Sequence, residues 1–471
     1  MKFKLRPVLR GAIAAVVLQA ASGASSAQEL RYPSIRLEVT ESKLNPTLQK
    51  DKQELVEASQ ILEDILHKSG AVYKDPALET AVSELIPVDR MGEKAKGFYY
   101  RVYLLKDPDV NAMSVPSGSI YLNSGLLATL DNFEQLRAVM AHEAYHVIDQ
   151  DIVYEFRRYK NETGFFKVLS LVAAPAVAYA ISESDSDTAR TIANVYTGAS
   201  WAVGLAYQLS IYGYSRGHEN ECDEFALKIF DQQGYDLLQV KKVFEHLHSH
   251  EKKYDRNIFH THLLATHETP KQRMGRVDKF IVQKTETPRP ADAAPDKRYY
   301  DLTRDIRVIN ARLNVRLGRV QHALDDLERL KAMFPDDARV MNAFGEAYSR
   351  LAEDRKVLKY ELNGMEWRKA SKEKEDVQRA ERIKLAVESF EKARALDAKL
   401  PDPYRGEALM RESQKEYARA VDLYGRYLET AVEPKDKRYV QAKIERLKKM
   451  IEQDNEKKAK EAAKAKKREA R

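Results

Sequence analysis

Residues 142–146 read His-Glu-Ala-Tyr-His, and our prediction for this chain of 471 residues starts from them. They lie in a strongly helical run, residues 133–148, and on a helix the side chains at positions i and i+4 project from one face. His142 and His146 can therefore reach one metal ion, while Glu143 lies about a quarter turn away, where it can take a proton from an attacking water. The spacing predicts a zinc site with two histidine ligands and Glu143 as general base.

A catalytic zinc needs a third protein ligand and an open position for water. The segment 215–223 supplies candidates, because Glu219 and Asp223 are one helical turn apart and can both face the helix of the two histidines. The simplest assignment, which gives each of the two acids one role, makes Glu219 the third ligand. Asp223 then orients a ligand histidine through the second nitrogen of its ring.

Two other side chains of this segment compete for the metal. Cys222 and His218 are both of types that bind zinc well. On a helix, however, Cys222 is turned away from Glu219 and toward the core, where a buried thiol is more often structural. Since the chain contains one cysteine, no intramolecular disulfide can form.

The two segments together resemble the M48 family of zinc peptidases. The resemblance pairs His142-Glu143-x-x-His146 with Ser215-Arg216-x-x-Glu219-x-x-x-Asp223 and covers about residues 50–280. Residues 111–127 are similar to the family's strand and turn ahead of the metal helix. The resemblance implies that His142, His146 and Glu219 are ligands of one zinc ion per chain, that Glu143 is the base, and that Asp223 supports a ligand.

A later segment of the family, Thr-His-Pro ending in Arg, is similar to Thr266-His267 and Arg273. This chain departs from it, since His267 is followed by residues 268–270, Glu-Thr-Pro, rather than directly by Pro. His267 has two interpretations. It acts either as a fourth metal ligand that keeps the enzyme shut until substrate displaces it, or as a hydrogen-bond donor at the surface or to the transition state.

The residues ahead of the metal helix predict a small sheet. Residues 96–105 and 112–123 read as strands, the second interrupted by Pro116-Ser117-Gly118. We expect the strand 119–123 to be the upper edge of the active-site sheet, where substrate binds in extended form through backbone hydrogen bonds. The predicted substrate-binding edge consists of Ser119, Ile120 and Tyr121. For the histidine group at His246, His248 and His250 we expect no acid nearby, and therefore no second metal site.

The N-terminal residues have the layout of a secretory signal, with a basic start, an apolar run at 11–21 and the small residues Ser25-Ser26-Ala27. We expect cleavage after Ala27 and export to the periplasm, with an uncleaved anchor as the alternative. Two further apolar stretches, 168–181 and 192–214, are interrupted by Pro or Gly. They favour buried helices or peripheral membrane contact over membrane spans.

Small and large residues recur in the C-terminal part with spacings of 4 and 3, as in Ala386, Phe390 and Ala393. The same pattern returns 34 residues later at Ala420, which is the tetratricopeptide period. The predicted domains are a signal peptide (1–27), a zinc metallopeptidase domain (28–286), a linker (287–298), tetratricopeptide-like repeats (299–450) and a basic charged tail (451–471).

The predicted fold class is mainly α with a small β-sheet, a zincin-like metallopeptidase domain followed by an α-solenoid of tetratricopeptide repeats. The net charge of +7 is modest, and the basic tail carries no interleaved aromatic residues, so we expect no nucleic-acid partner. The predicted function is a zinc-dependent endopeptidase. The alternatives are a chaperone-like assembly adaptor with a latent zinc site, which acts through the repeats, and a membrane-embedded protease.

The predicted layout also resembles periplasmic members of the family that act in quality control of outer-membrane proteins. This resemblance implies that the substrates are unfolded or misassembled envelope proteins. It also implies that the outer-membrane assembly machinery is a partner of the repeats, whose concave face suits a docked protein.

Overall fold

The computed structural model describes residues 46–68, 70–91, 99–115, 117–149, 153, 157, 216–254, 269–284, 295–353, 372–432, 434 and 436–469. These residues fall into two compact units, the first ending at Leu302 and the second beginning at Thr303. The expected signal peptide, the apolar stretches 168–181 and 192–214, and His267 lie outside the described residues. Within the described part of the chain, no helix has the length and apolar character needed to cross a membrane.

The fold is mainly α with a small mixed sheet. The first unit contains, in chain order, α1 (Pro46–Lys68), β1 (Val72–Tyr73), α2 (Pro76–Ser83), a short 3-10 helix (Val88–Arg90), β2 (Arg101–Leu105), β3 (Ala112–Ser114), β4 (Ser119–Asn123), α3 (Ser124–Thr129), α4 (Phe133–Asp149), α5 (Arg216–Gln233), α6 (Leu237–Tyr254), α7 (Pro270–Gln283) and the start of α8 (Lys297–Arg316).

The four strands form one sheet in the order β1-β2-β4-β3. β4 pairs in parallel with β2 on one side and antiparallel with β3 on the other, so that Ile120 lies between Val102 and Ser114. The prediction that residues 119–123 form the sheet edge is therefore wrong. On the side near the metal helix the edge is β3, and α4 packs against it.

A tight turn explains this arrangement. The backbone N–H of Gly118 donates to the carbonyl of Val115 over 2.9 Å, which folds β3 back onto β4. Gly118 has a φ of 90°, and a Cβ atom there would lie 2.7 Å from the carbonyl oxygen of Tyr99. Only glycine meets both conditions without strain. The hairpin thus places β3 along the side of β4 that was expected from the sequence to be a free edge.

The three side chains predicted to line a substrate edge belong to the core instead. Ser119, Ile120 and Tyr121 are all fully buried. The hydroxyl of Ser119 donates to the Glu63 carboxylate of α1 over 3.3 Å, and the ring of Tyr121 stacks on that of Tyr103 at 5.4 Å between centroids. These contacts hold α1 against one face of the sheet.

The second unit continues from α8 with six further helices. They are α9 (Val320–Met333), α10 (Ala338–Glu353), α11 (Lys372–Leu396), α12 (Asp402–Ser413), α13 (Tyr417–Thr430) and α14 (Lys437–Glu469). From α9 onward each helix packs against the next one in the chain. The recurring positions of the sequence pattern are all buried, namely Ala323, Leu327, Leu330, Ala386, Phe390, Ala393, Ala420, Tyr424 and Tyr427. The assignment of these helices to tetratricopeptide repeats stays a prediction.

One aromatic ring joins three helices of this unit. Phe390 in α11 is buried against Gly345 of α10 and Gly406 of α12. A Cβ atom at either glycine would lie 2.4 Å from a carbon of the ring. The two glycines therefore permit a helix spacing that no larger residue allows.

We predict that Gly345→Ala destabilises the protein by about 1–3 kcal/mol, because the added methyl group overpacks the site of Phe390. Gly425→Ala is the matched control, since this glycine also lies inside a helix but has open space around its Cβ position. There the substitution should stabilise the helix by about 0.5–1 kcal/mol. Urea unfolding measures both changes, and equal effects of the two variants would contradict the packing described here.

Candidate metal centre

Helices α4 and α5 pack against each other and bring three side chains to one point. The Nε2 atoms of His142 and His146 lie 3.1 Å apart. The two carboxylate oxygens of Glu219 face them, one 3.3 Å from the Nε2 of His142 and the other 3.4 Å from the Nε2 of His146. All three side chains are buried. Sequence spacing therefore anticipated which residues the two helices bring together.

These distances fit a tetrahedral metal ion. With bonds of about 2.0–2.1 Å to nitrogen or oxygen, the ligand atoms of a tetrahedron lie about 3.3 Å from one another. The three separations seen between the imidazoles and the carboxylate are close to this value. Two imidazoles and a carboxylate are also the donor set that zinc accepts in catalytic sites. His142, His146 and Glu219 could thus hold one zinc ion.

Glu143 lies beside this triangle. It is buried, and together with His142 it lines a cavity between α4, α5, α6 and α7. A carboxylate at this place is within the protein's interior rather than in bulk water. It is therefore positioned to exchange protons with a molecule that enters the cavity.

Asp223 contacts the far side of the His142 ring. One of its carboxylate oxygens lies 3.1 Å from Nδ1, so that a proton on Nδ1 leaves the electron pair of Nε2 for a metal. Burial raises the pKa of Asp223, but the charge of Arg273 and hydrogen bonds from His142 and Arg273 hold it well below its usual range. Asp223 is therefore an anion at every pH of interest.

The carboxylate of Asp223 is held by two arginines of α7. Arg273 donates from Nε over 2.9 Å and from Nη2 to the other oxygen, and Arg276 donates over 2.9 Å. Thr269 begins α7 with a capping box to Gln272, which fixes where the two arginines lie. The sequence matched Arg273 to a family segment without a partner, and it gave Arg276 no role. Their spacing of three on one helix face, opposite a buried acid, is the signal that could have found the pair.

Cys222 lies outside the triangle. Its Sγ atom is 3.2 Å from the Nδ1 of His146, which is the ring nitrogen on the side away from Nε2. His142, His146 and Cys222 also form a compact group with ligand atoms within 4.8 Å of one another. Glu219 fits a metal better, because both of its oxygens face the two Nε2 atoms. The thiol is placed to hold the His146 ring, and the side chain of His218 lies outside the described residues.

The other histidine group does have acids nearby, contrary to the sequence interpretation. The Nε2 atom of His246 lies 2.8 Å from the carboxylate of Asp131, which is distant in sequence, and His248 lies 3.6 Å from Glu251. Each is a pair of one histidine and one acid. Among the described residues, the one group of three or more possible metal ligands whose ligand atoms lie close together is at His142, His146 and Cys222.

A protein-family comparison covers most of the first unit's described residues. Residues 73–281 match the model of peptidase family M48. The first unit contains an M48 peptidase domain. That match covers the helices of both histidines, Glu219 and Arg273.

Two curated relatives with low identity to this chain are a metalloendopeptidase and a protease by name. The mitochondrial metalloendopeptidase OMA1 of Saccharomyces cerevisiae is 21% identical over 233 residues, which are 49% of this chain and 57% of the relative. The β-barrel assembly-enhancing protease of Escherichia coli is 22% identical over 290 residues, 58% of this chain and 55% of the relative. The chain thus spans about half the length of these relatives.

The charge of the site predicts how metal uptake depends on pH. Burial lowers the pKa of His142, but hydrogen bonds to Asp223 and Glu219 raise it to about 9. In metal-free protein this raised pKa stabilises the fold below about pH 6.5, and the contribution is lost as the pH rises through about 9. At pH 7 His142 carries a proton that a metal ion must displace.

We predict that zinc binding at pH 7 releases about one proton, and that apparent zinc affinity rises as the pH approaches 9. Calorimetric titration in buffers of different ionisation enthalpy measures the number of protons released. Asp223→Asn is the control, because it removes the anion that raises the pKa of His142, and it should reduce the release. Zinc uptake without proton release by the wild type would show that His142 is neutral in the metal-free protein.

Proposed function

We propose that the chain is a zinc-dependent endopeptidase in which His142, His146 and Glu219 hold one zinc ion. The observation that carries the proposal is the close approach of two Nε2 atoms, 3.1 Å apart, to one carboxylate, whose two oxygens lie 3.3 Å from one of them and 3.4 Å from the other. The M48 match over residues 73–281 supports the same chemistry.

When bound, zinc supplies a Lewis acid that polarises the scissile carbonyl and acidifies the attacking water. Glu143 takes the proton of that water and later delivers it to the leaving amine. Asp223 keeps the His142 ring in the tautomer that leaves Nε2 free, and its pairing with Arg273 keeps it charged while it does so. Each of these groups is buried, so water other than the reactant is excluded from them.

The substrate backbone is proposed to add to β3 rather than to β4. β4 is paired on both sides, whereas β3 is the last of the described strands in this direction. α4, which carries both histidines, packs against β3. An extended peptide along Ala112–Ser114 would therefore run beside the metal centre and bind through its backbone, with little dependence on its sequence.

We place this activity in the periplasm, with misfolded or stalled envelope and outer-membrane proteins as substrates. The secretory layout of residues 1–27 and the name of the Escherichia coli relative, β-barrel assembly-enhancing protease, support this proposal. The helical second unit would hold a client or a part of the outer-membrane assembly machinery. The role of His267, as a latch or as a hydrogen-bond donor, stays a prediction.

Glu143→Gln is the test of the proposed function. The amide cannot accept the proton of the attacking water, so degradation of denatured casein should fall at least about a hundredfold. Zinc content, measured by elemental analysis, should be unchanged, because the substitution spares all three ligands. An assembly adaptor with a latent site would bind clients equally well in both forms, and the wild type would leave casein intact.

A further inference from the structure

Helix α14 of the second unit has two halves of different character. It contains 33 residues and is about 50 Å long at a rise of about 1.5 Å per residue. In its first half Val440 and Leu447 are buried, and Met450 packs against the same apolar cluster. Over residues 452–462, in contrast, every side chain that the structure describes is exposed. The first half therefore holds the helix to its unit, and the second half presents a surface to solvent.

The second half of α14 concentrates the positive charge of the chain. Residues 454–471 contain eight Lys or Arg against four acidic residues, which gives a net charge of +4. Residues 1–27 contain four basic and no acidic residues, so that residues 28–453 have a net charge of −1 out of the total of +7. Outside the expected signal peptide, the excess positive charge thus lies in one segment of 18 residues.

Most of the basic residues in this segment share one face of the helix. Five of them follow one another at spacings of 3, 4, 3 and 1, namely Lys457, Lys460, Lys464, Lys467 and Arg468. At about 100° per residue, these positions fall within an arc of roughly 100°. We call these five residues the basic stripe. Balancing the helix macrodipole needs positive charge only in the last turn, whereas the stripe extends over about three turns.

The acidic residues of the segment support the helix without blocking the stripe. A carboxylate oxygen of Asp454 lies 2.8 Å from the Nζ atom of Lys458, and one of Glu456 lies 3.8 Å from the Nζ atom of Lys460. Pairs of this kind, four residues apart and in water, contribute little free energy each. The Lys460 side chain is 77% exposed. A larger anionic surface can therefore compete with Glu456 for it.

The composition of the segment indicates which partner fits. Residues 452–471 contain no apolar residue larger than Ala. A helix that docks into a protein groove uses large apolar side chains at helical spacing, and a segment that binds single-stranded nucleic acid interleaves aromatic rings. This sequence has neither feature. A row of lysines instead matches a plane of anionic lipid headgroups, which attracts basic residues without needing an apolar anchor.

We propose that the basic stripe docks the second unit onto a membrane surface that contains anionic phospholipids. The attraction is electrostatic, and the helix lies on the headgroups without entering the hydrocarbon. Because the first half of α14 is packed into its unit, the bound stripe holds the neighbouring helices close to the bilayer. The inference goes beyond the proposed peptidase activity and depends on no residue of the metal site.

Co-sedimentation of the purified mature protein with vesicles tests the proposal. At about 0.1 M salt, the protein should bind vesicles of phosphatidylglycerol mixed with phosphatidylcholine at least about a hundredfold more tightly than vesicles of phosphatidylcholine alone, because each Lys or Arg near the anionic surface contributes about fivefold. At about 1 M salt the Debye length falls to about 3 Å, and the binding should be lost. Equal binding to the two kinds of vesicle would overturn the proposal.

Two single substitutions distinguish the stripe from net charge. Lys464→Gln removes a charge from the stripe, and Lys466→Gln removes one from a position about 160° away around the same helix. Gln and Lys have similar helix propensities, so both variants should keep the fold. The first should weaken binding to the phosphatidylglycerol vesicles about fivefold and the second less than about twofold. Equal losses would show that the stripe is not the docking surface.

A quadruple variant should give a larger effect. It carries the substitutions Lys460→Gln, Lys464→Gln, Lys467→Gln and Arg468→Gln, and its vesicle binding should fall at least about a hundredfold. The matched control replaces four other exposed lysines that pair with an acid on their own helix, namely Lys297, Lys331, Lys384 and Lys448. This control loses the same charge and should retain the binding of the wild type.

A comparison with duplex DNA separates the proposed membrane from the other common phosphate surface. At equal phosphate concentration and about 0.1 M salt, the wild type should bind the phosphatidylglycerol vesicles more tightly than the duplex. Tighter binding to the duplex, or a loss of vesicle binding as large in the control as in the quadruple variant, would overturn the proposal.

Discussion

The close approach of two imidazoles and one carboxylate between α4 and α5 is the constraint on which the first unit depends. Their nitrogen and oxygen atoms lie 3.1 to 3.4 Å apart in the interior. Electron-pair donors at such distances repel one another unless a cation or protons lie among them. A Zn²⁺ ion held by the three side chains would offset this repulsion. The packing of α4 against α5 thereby assembles the proposed metal site.

A second set of charged side chains, behind the proposed ligands, holds the site in place. Asp223 is fixed by Arg273 and Arg276 from α7 and in turn fixes His142, while Cys222 contacts the outer nitrogen of His146. The ring of His142 is therefore contacted at Nδ1 by a charged carboxylate, and the ring of His146 is contacted at Nδ1 by the sulfur of Cys222. A hydrogen bond to a carboxylate makes an imidazole a stronger donor than one to sulfur does. His142 is thus the stronger electron-pair donor of the two histidine ligands. It also lines the cavity that Glu143 lines.

The sequence was informative where function depends on local spacing. Residues at i and i+4 must share a helix face, so the pair His142 and His146 and the pair Glu219 and Asp223 could each be found from their spacing. The need of a catalytic zinc for a third ligand, and the family resemblance, joined the two pairs. Pairing between strands is not local in this way. The interior position of β4 depends on a turn at Gly118 and on β2 lying alongside, and the spacing of residues 119–123 contains neither fact. The same holds for Asp131 beside His246, a contact between residues more than a hundred positions apart.

The central claim is that Glu219, and not Cys222, completes the metal site. X-ray absorption at the zinc edge of the purified mature protein tests it most directly, because zinc–sulfur and zinc–nitrogen or oxygen distances differ clearly. We expect one zinc per chain, surrounded by nitrogen and oxygen at about 2.0–2.1 Å and with no sulfur neighbour. A sulfur atom at about 2.3 Å, or a protein that retains no zinc, would contradict it.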